Sequence, residues 1–193
     1  MRIYGSVKDK NGQPIAGAGV EVKDESFQTI YQCESDARGD YSLELPEGRY
    51  PFLMAVKDYG TQNLEYWCQN IHLTRDLQLD LCFDSLEIYG LHVFRVKGAY
   101  PALSVYFRPM SLGRYKKGEA DICPKIKQIQ VTVDGAPVPV LKQNQVLEYI
   151  GEGDLTAYLI QVALPGQTVA WNRLDIEIWD EEDAYGMASI FAE

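Results

Sequence analysis

The chain has 193 residues, 46% of them hydrophobic and 24% charged, with a net charge of −10. That length builds one large β domain or two of about 100 residues. The negative balance, −5 in residues 1–83 and −5 in 84–193, argues against a nucleic-acid backbone or an anionic membrane as partner, and no apolar run nears the ~20 residues that span a bilayer.

In chain order, a strand pattern begins almost at Met1, without the charged leader and apolar stretch of a signal peptide. A native Met1 would place the protein in the cytoplasm, whereas a trimmed leader would make it an exported one. Asn11-Gly12 suits a tight turn, Pro14 sends the chain out extended, and Gly17 and Gly19 are expected to let the backbone pass a neighbouring strand closely. Period-2 alternation then recurs at Val20 and Val22, at Tyr41, Leu43 and Leu45, and at Leu77, Leu79 and Leu81, with Gly, Pro and Asp breakers between the runs. Seven strands are predicted, near 2–8, 18–23, 28–33, 40–45, 49–57, 63–73 and 76–83. Val7, Val20, Val22, Leu43, Leu45, Leu79 and Leu81 should lie inside a sandwich.

The ordered set Gly5-x-Val7, Asp9, Gly12, Pro14-Ile15, Gly17-Ala18-x-Val20, followed by Asp36-x-x-Gly39-x-Tyr41-x-Leu43 and Leu45-Pro46-x-Gly48-x-Tyr50, resembles the carboxypeptidase regulatory-like domain. The resemblance implies a seven-stranded transthyretin-like (prealbumin-like) sandwich over residues 1–83, used as an accessory or attachment module. One departure is Tyr59-Gly60, where the family often has Gly-Tyr. The resemblance does not extend to carboxypeptidase chemistry. His72 is followed by Leu73-Thr74-Arg75 and His92 by Val93-Phe94-Arg95, so neither begins a His-x-x-Glu pair.

Residues 84–193 continue as about eight further strand patterns and read as a second β-sandwich of no assigned family, making the whole an all-β chain of two sandwiches. Asp134-Gly135 is a hairpin signal between Val131-x-Val133 and Val138-x-Val140. Only Asp84 and Ser85 separate the last pattern of the first half from the first of the second, so the halves should pack tightly. Their interface is expected to include Tyr89 or Phe94, and any ligand site should lie in the groove between them. Residues 106–127 read as a long basic loop, either docked on the protein's own acidic patch or facing an acidic partner.

The chemistry-bearing residues are few. Two histidines and no Gly-x-Ser-x-Gly leave nucleophilic catalysis without its parts, and no glycine-rich phosphate loop opens a helix. Cys33, Cys68, Cys82 and Cys123 lack Cys-x-x-Cys spacing and read as reduced thiols, a Cys33–Cys68 or Cys68–Cys82 bridge being the alternative in an exported protein. The densest acidic cluster holds Asp175, Glu177, Asp180, Glu181, Glu182 and Asp183. Asp175, Glu177, Asp180 and Asp183 offer hard oxygens for calcium, though a charged hairpin edge explains the run as well. Tyrosine and tryptophan are plentiful, with Tyr59, Tyr66, Trp67, Tyr100, Tyr106, Tyr115, Trp171 and Trp179 outside the clearest core registers.

Three functions fit this reading. The first is a non-enzymatic binding or structural module acting through sandwich surfaces, with protein or carbohydrate partners and no cofactor. The second is carbohydrate binding by Tyr59, Tyr66, Trp67, Arg108, Tyr115 and Trp171, with rings stacking on the apolar faces of sugars. The third is a hydrolase using Asp175 and Glu177, about 7 Å apart on one strand face, as an acid–base pair.

Overall fold

The computed structural model describes residues 1–98, 101–151, 153–164 and 170–193. The first half contributes β1 (Arg2–Lys8), β2 (Gly19–Lys23), β3 (Thr29–Glu34), β4 (Asp40–Glu44), β5 (Gly48–Val56) and β6 (Tyr66–Leu73), then the short β7 (Leu77–Gln78) and β8 (Leu81–Cys82). The second contributes β9 (Leu86–Phe94), β10 (Ala102–Ser111), α1 (Leu112–Lys116), β11 (Ile126–Val133), β12 (Ala136–Val138), β13 (Val140–Tyr149), β14 (Asp154–Ala163), β15 (Arg173–Asp180) and β16 (Tyr185–Phe191).

All seven expected core residues of the first sandwich are buried, and they form one cluster with Ile3, Tyr41, Leu53, Tyr66 and Phe83. The strand predicted over 76–83 is instead broken into β7 and β8, each parallel to β1. The cause is Asp80, whose carboxylate accepts the backbone N–H of Ser6 at 2.9 Å and so takes the place of a ladder carbonyl. At that crossing a Cβ on Gly5 would meet the Leu79 carbonyl oxygen at 2.2 Å. Close approach is therefore the work of Gly5, not of Gly19, where a Cβ would find nothing nearer than 3.8 Å. Gly17 serves a turn, at φ +68.

The second sandwich packs the sheet β13-β14-β10-β9 on β12-β11-β15-β16 around Leu103, Phe107, Tyr158, Ile160, Leu174 and Ile176. Asp134 and Gly135 have φ of 51 and 79, the paired positive values of the expected two-residue hairpin turn. The segment 106–127 is not one loop. It completes β10, and the Ser111 hydroxyl then accepts the Arg114 N–H to cap the single turn of α1.

The halves share more than a contact. β16 runs parallel to β6, pairing Ala188 with Trp67, Ser189 with Cys68 and Ile190 with Gln69. One eight-stranded sheet, β12-β11-β15-β16-β6-β5-β2-β3, thus passes through both sandwiches. Beneath the junction the Tyr66 hydroxyl donates to Ser189 at 2.7 Å, and Ser189 donates in turn to Asp175, which Arg173 also grips. A buried polar chain with every member paired fixes the register there.

Candidate functional site

Alternation along β6 sends Tyr66 and Cys68 into the first core and Trp67 and Gln69 outward. On β5, Phe52 sits opposite Gln69 and also faces out. The Asp24 carboxylate accepts the N–H groups of Ser26 and Gln28, which tightens the turn before β3 and holds Phe27 at φ 59. The Phe27 ring stacks on Phe52 with centroids 4.6 Å apart, and Trp67 stands nearly perpendicular to both at 6.2 Å.

The opposite wall comes from β9. In register with β10, Tyr106 pairs with His92 but Arg108 pairs with Tyr89, so β9 carries one extra residue. That bulge sits at Gly90, whose φ of +63 suits a residue without a Cβ. It leaves Ile88 in the second core and turns Tyr89 outward. Together Phe27, Phe52, Trp67, Gln69, Tyr89 and Gly90 line a cleft of about 130 Å³ between the sandwiches. The interface was expected to include Tyr89 or Phe94. Tyr89 is at the joint, but both residues keep more than a third of their surface in solvent, Phe94 stacking on His92.

Polar groups stand behind the rings. The Arg108 guanidinium lies over the Tyr89 ring at 4.6 Å and pairs with Glu148 at 2.9 Å, and Glu148 also accepts the Tyr106 hydroxyl. The Trp67 indole N–H donates to Glu65 at 3.1 Å. Neighbouring Glu87 is 2% exposed. Burial pushes its carboxyl up to about 7, and the negative charge of Glu65 adds to the effect. Burial also raises the Glu65 carboxyl, against the pull of its hydrogen bond from Trp67. Glu87 Oε2 and Arg108 Nε are buried without a hydrogen-bond partner among the described residues.

Of the residues singled out from sequence, Trp67 lines the cleft and Arg108 props up its Tyr89 wall. Tyr59 and Tyr115 are exposed, with Tyr59 in electrostatic reach of Glu87, Glu65 and Tyr115. Tyr66 is in the first core and Trp171 is packed against the second, so neither lines the cleft. Trp179 packs edge-on against Tyr185, and Tyr100 lies outside the described residues. Sequence reasoning missed Phe27, Phe52, Glu65 and Glu87. The one available signal was Glu87 itself, a carboxylate between Leu86 and Ile88 in an otherwise apolar run.

The acidic hairpin is arranged quite differently. Asp175 accepts from Arg173, Ser189 and Thr132, and Glu177 accepts the Tyr185 hydroxyl. Asp180 accepts the N–H groups of Glu182 and Ala184 within the turn. Asp183 pairs with Lys127 at 2.7 Å, while Lys125 pairs with Glu181 and Lys117 lies 3.9 Å from Glu182. The basic segment thus docks on the protein's own acidic patch. Among the described residues no group of three or more His, Cys, Asp or Glu side chains is placed to hold a metal ion.

The four cysteines are free thiols, and burial pushes those of Cys68, Cys82 and Cys123 up to about 12. Thiols held protonated in this way are poor nucleophiles. A larger recess of about 500 Å³ lies over β1 and β4. Several of its polar groups are paired, Arg38 with Asp40 and Ser6 with Asp80, and Arg2 is held by Asp76. The cleft at the joint is where apolar rings remain open.

Residues 2–81 match the family model of the carboxypeptidase regulatory-like domain, and the second half matches no family. No characterised protein matches the chain in sequence. Among solved structures, BcpA, the major pilin subunit of Bacillus cereus, is 13% identical with a TM-score of 0.34 over 98% of this chain and 67% of its own. A candidate carbohydrate-binding protein of Bacteroides uniformis is 10% identical with a TM-score of 0.35, over 100% of this chain and 98% of its own. A DUF3823 family protein of Parabacteroides merdae is 14% identical with a TM-score of 0.31, over 100% and 98%.

Proposed function

We propose that this protein is a non-catalytic binding module whose inter-domain cleft takes a sugar ring. The carrying observation is the open aromatic wall of Trp67, Phe52 and Phe27 facing Tyr89 across the cleft. A pyranose presents an apolar face of axial hydrogens, which suits a ring platform, and equatorial hydroxyls, which need polar groups at a rim. Gln69 supplies amide groups on the cleft wall, and Glu65 and Tyr89 supply a carboxylate and a hydroxyl beside it. Ring stacking contributes roughly 0.5–1.5 kcal/mol per pair beyond area burial. A single site of this size therefore binds in the micromolar-to-millimolar range.

A glycan array followed by calorimetry tests the reading. A bound glycan should lose at least about tenfold in affinity on Trp67→Ala, since one stacked ring and its buried area are worth about 1.4 kcal/mol or more. The reading fails if no glycan binds, or if Trp67→Ala and Phe52→Ala bind as the parent does.

One observation favours a second reading. Glu87 and Glu65 are adjacent carboxyls with raised pKa values, the pattern of an acid–base pair. Against it, Glu87 does not line the cleft, so a bound ring would not touch it. Glycosidase activity lost in Glu87→Gln would overturn the non-catalytic reading.

A further inference from the structure

The free edges of the sheets are not protected alike. β12 is three residues long and contains Pro137, β4 presents Asp40 and Glu44, β9 is broken by its bulge, and β7 and β8 are two residues each. β3 closes against β4 at the corner of the first sandwich. These are the usual ways in which a sheet avoids pairing with another chain. β13 is the longest of these edges, and its two charges, Lys142 and Glu148, are of opposite sign. It is ten residues long, pairs among the described residues with β14 on one side only, and runs regularly from Lys142 to Tyr149 once past an irregularity at Leu141. Leu147 and Tyr149 on it are 71% and 74% exposed, and Leu141 and Ile150 beside it are also open to solvent.

The regular stretch is complementary to itself. Laid antiparallel against a second copy about Gln145, it places Lys142 opposite Glu148 of the copy at both ends. Gln143 then meets Leu147, and Asn144 meets Val146. Paired residues share a face, because the spacing on either side of Gln145 is equal. Lys142 makes no ion pair among the described residues, and Glu148 shares one carboxylate oxygen between Arg108 and Tyr106, leaving the other for a lysine. Opposite charges directly across a strand pair stabilise it, and like charges there oppose it.

We propose that β13 is a self-association edge: two copies of this chain join β13 to β13 antiparallel about Gln145, extending the β13-β14-β10-β9 sheet across a two-fold axis. The inference does not rest on the sugar-binding reading: the Tyr89 wall stands on β9, at the opposite edge of that sheet, and β13 reaches it only through Glu148, which holds the Arg108 that lies over Tyr89. One strand pair buries less than the ~1,200 Å² of a standard stable interface, so the dimer is weak and forms at high protein concentration.

Sedimentation velocity from low micromolar to near-millimolar protein should show a monomer–dimer equilibrium. Lys142→Glu, which sets one glutamate opposite another at each end, should weaken it at least about tenfold, and Lys142→Glu with Glu148→Lys should restore it. Because Glu148→Lys also breaks the Arg108 pair, a second measurement is needed. Gln145→Cys sits on the axis, where antiparallel Cα atoms lie ~4.5–5.5 Å apart, within disulfide reach. It should oxidise to a linked dimer, located by peptide mass spectrometry, whereas Leu147→Cys, displaced from the axis, should not. A monomer at every concentration, a dimer indifferent to Lys142→Glu, or equal linking by the two cysteine variants would each overturn the proposal.

Discussion

The acidic hairpin and the cleft at the joint each gather one chemistry, carboxylates from one run of the sequence in the first and rings brought together by the fold in the second. In the hairpin every carboxylate of the expected set already has a protein donor: Arg173, Ser189 and Thr132 for Asp175, Tyr185 for Glu177, turn N–H groups for Asp180, Lys127 for Asp183. In the cleft the rings touch one another on one side only. Phe27 stays 57% exposed and Tyr89 48%. Clustering alone therefore does not mark a site. What separates the two regions is whether the clustered groups have used up their own capacity for interaction.

The comparison breaks most visibly at Asp175. Its side chain is 14% exposed and Arg173 is 24% exposed, so removing the carboxylate strands a half-buried guanidinium and takes away the acceptor of the Ser189 hydroxyl beneath the shared sheet. Asp175→Ala should cost about 3 kcal/mol, the loss typical when one partner of a buried pair is removed. For a chain of this size that is a fall in melting temperature of roughly 6–12 °C. Thermal or urea denaturation checks it, and a loss under about 1 kcal/mol would make Asp175 an ordinary surface charge.

The next effect lies behind the cleft wall. Glu87 is raised from 4.5 to about 7 in the folded protein, burial being the main cause. The folded state therefore holds a proton that the unfolded chain has released. Stability is fully present below about pH 4.5, declines as pH rises toward 7, and is flat beyond. At 1.36 kcal/mol per unit the loss is at most about 3 kcal/mol. Glu87→Gln keeps the size of the side chain and abolishes the titration. It should match the parent near pH 4 and be more stable by about 2–3 kcal/mol at pH 8. Equal stability at both pH values would mean that Glu87 is solvated.

Much of the fold was legible because one-sided strands leave a period-2 record. The about eight strand patterns read in the second half meet the eight strands β9–β16 among the described residues, and the Asp134-Gly135 hairpin joins β11 to β12. Where reading failed, a side chain or a distant strand had overruled local pattern. Asp80 splits the last strand of the first sandwich by mimicking a carbonyl, which alternation at Leu77, Leu79 and Leu81 does not betray. A single turn such as α1 is too short to show a helical period. The parallel pairing of β6 with β16 joins residues 123 apart, as Tyr66 to Ser189 shows, and nothing in either strand names its partner. The cleft was legible only in part for the same reason. Trp67 was visible as an outward ring, but Phe27, Phe52 and Tyr89 come from three other segments.

That junction gives a smaller effect. Tyr66→Phe removes the hydroxyl that Ser189 receives in the core, with no change of shape. Ser189 keeps its own bond to Asp175, so the cost should be about 1 kcal/mol, that of one net hydrogen bond. A loss near 3 kcal/mol would show that the two sandwiches are coupled through this contact more strongly than their shared backbone ladder requires.

The smallest effect returns to the hairpin tip, and it separates charge density from function most directly. Lys127 and Asp183 are 55% and 74% exposed, and Lys125 and Glu181 are similarly open. Lys127 holds the Asp183 carboxyl below the usual range. A pair so exposed adds little to stability, because solvent and salt screen it. Lys127→Gln should therefore shift the melting temperature by no more than about 1–2 °C at low salt, and the shift should shrink toward zero at ~1 M salt. The same argument fixes the response to calcium. A tight site would raise stability by about 2.7 kcal/mol at a hundredfold excess over its dissociation constant. With Asp175, Glu177 and Asp180 committed to protein donors, Asp183, Glu181 and Glu182 are the carboxylates left at the tip, and among the described residues no three acidic side chains converge on the shell of six to eight oxygens that calcium takes. Millimolar calcium should leave the melting temperature unmoved, in the parent and in Lys127→Gln alike. A saturable rise in either would return the hairpin to the standing of a site.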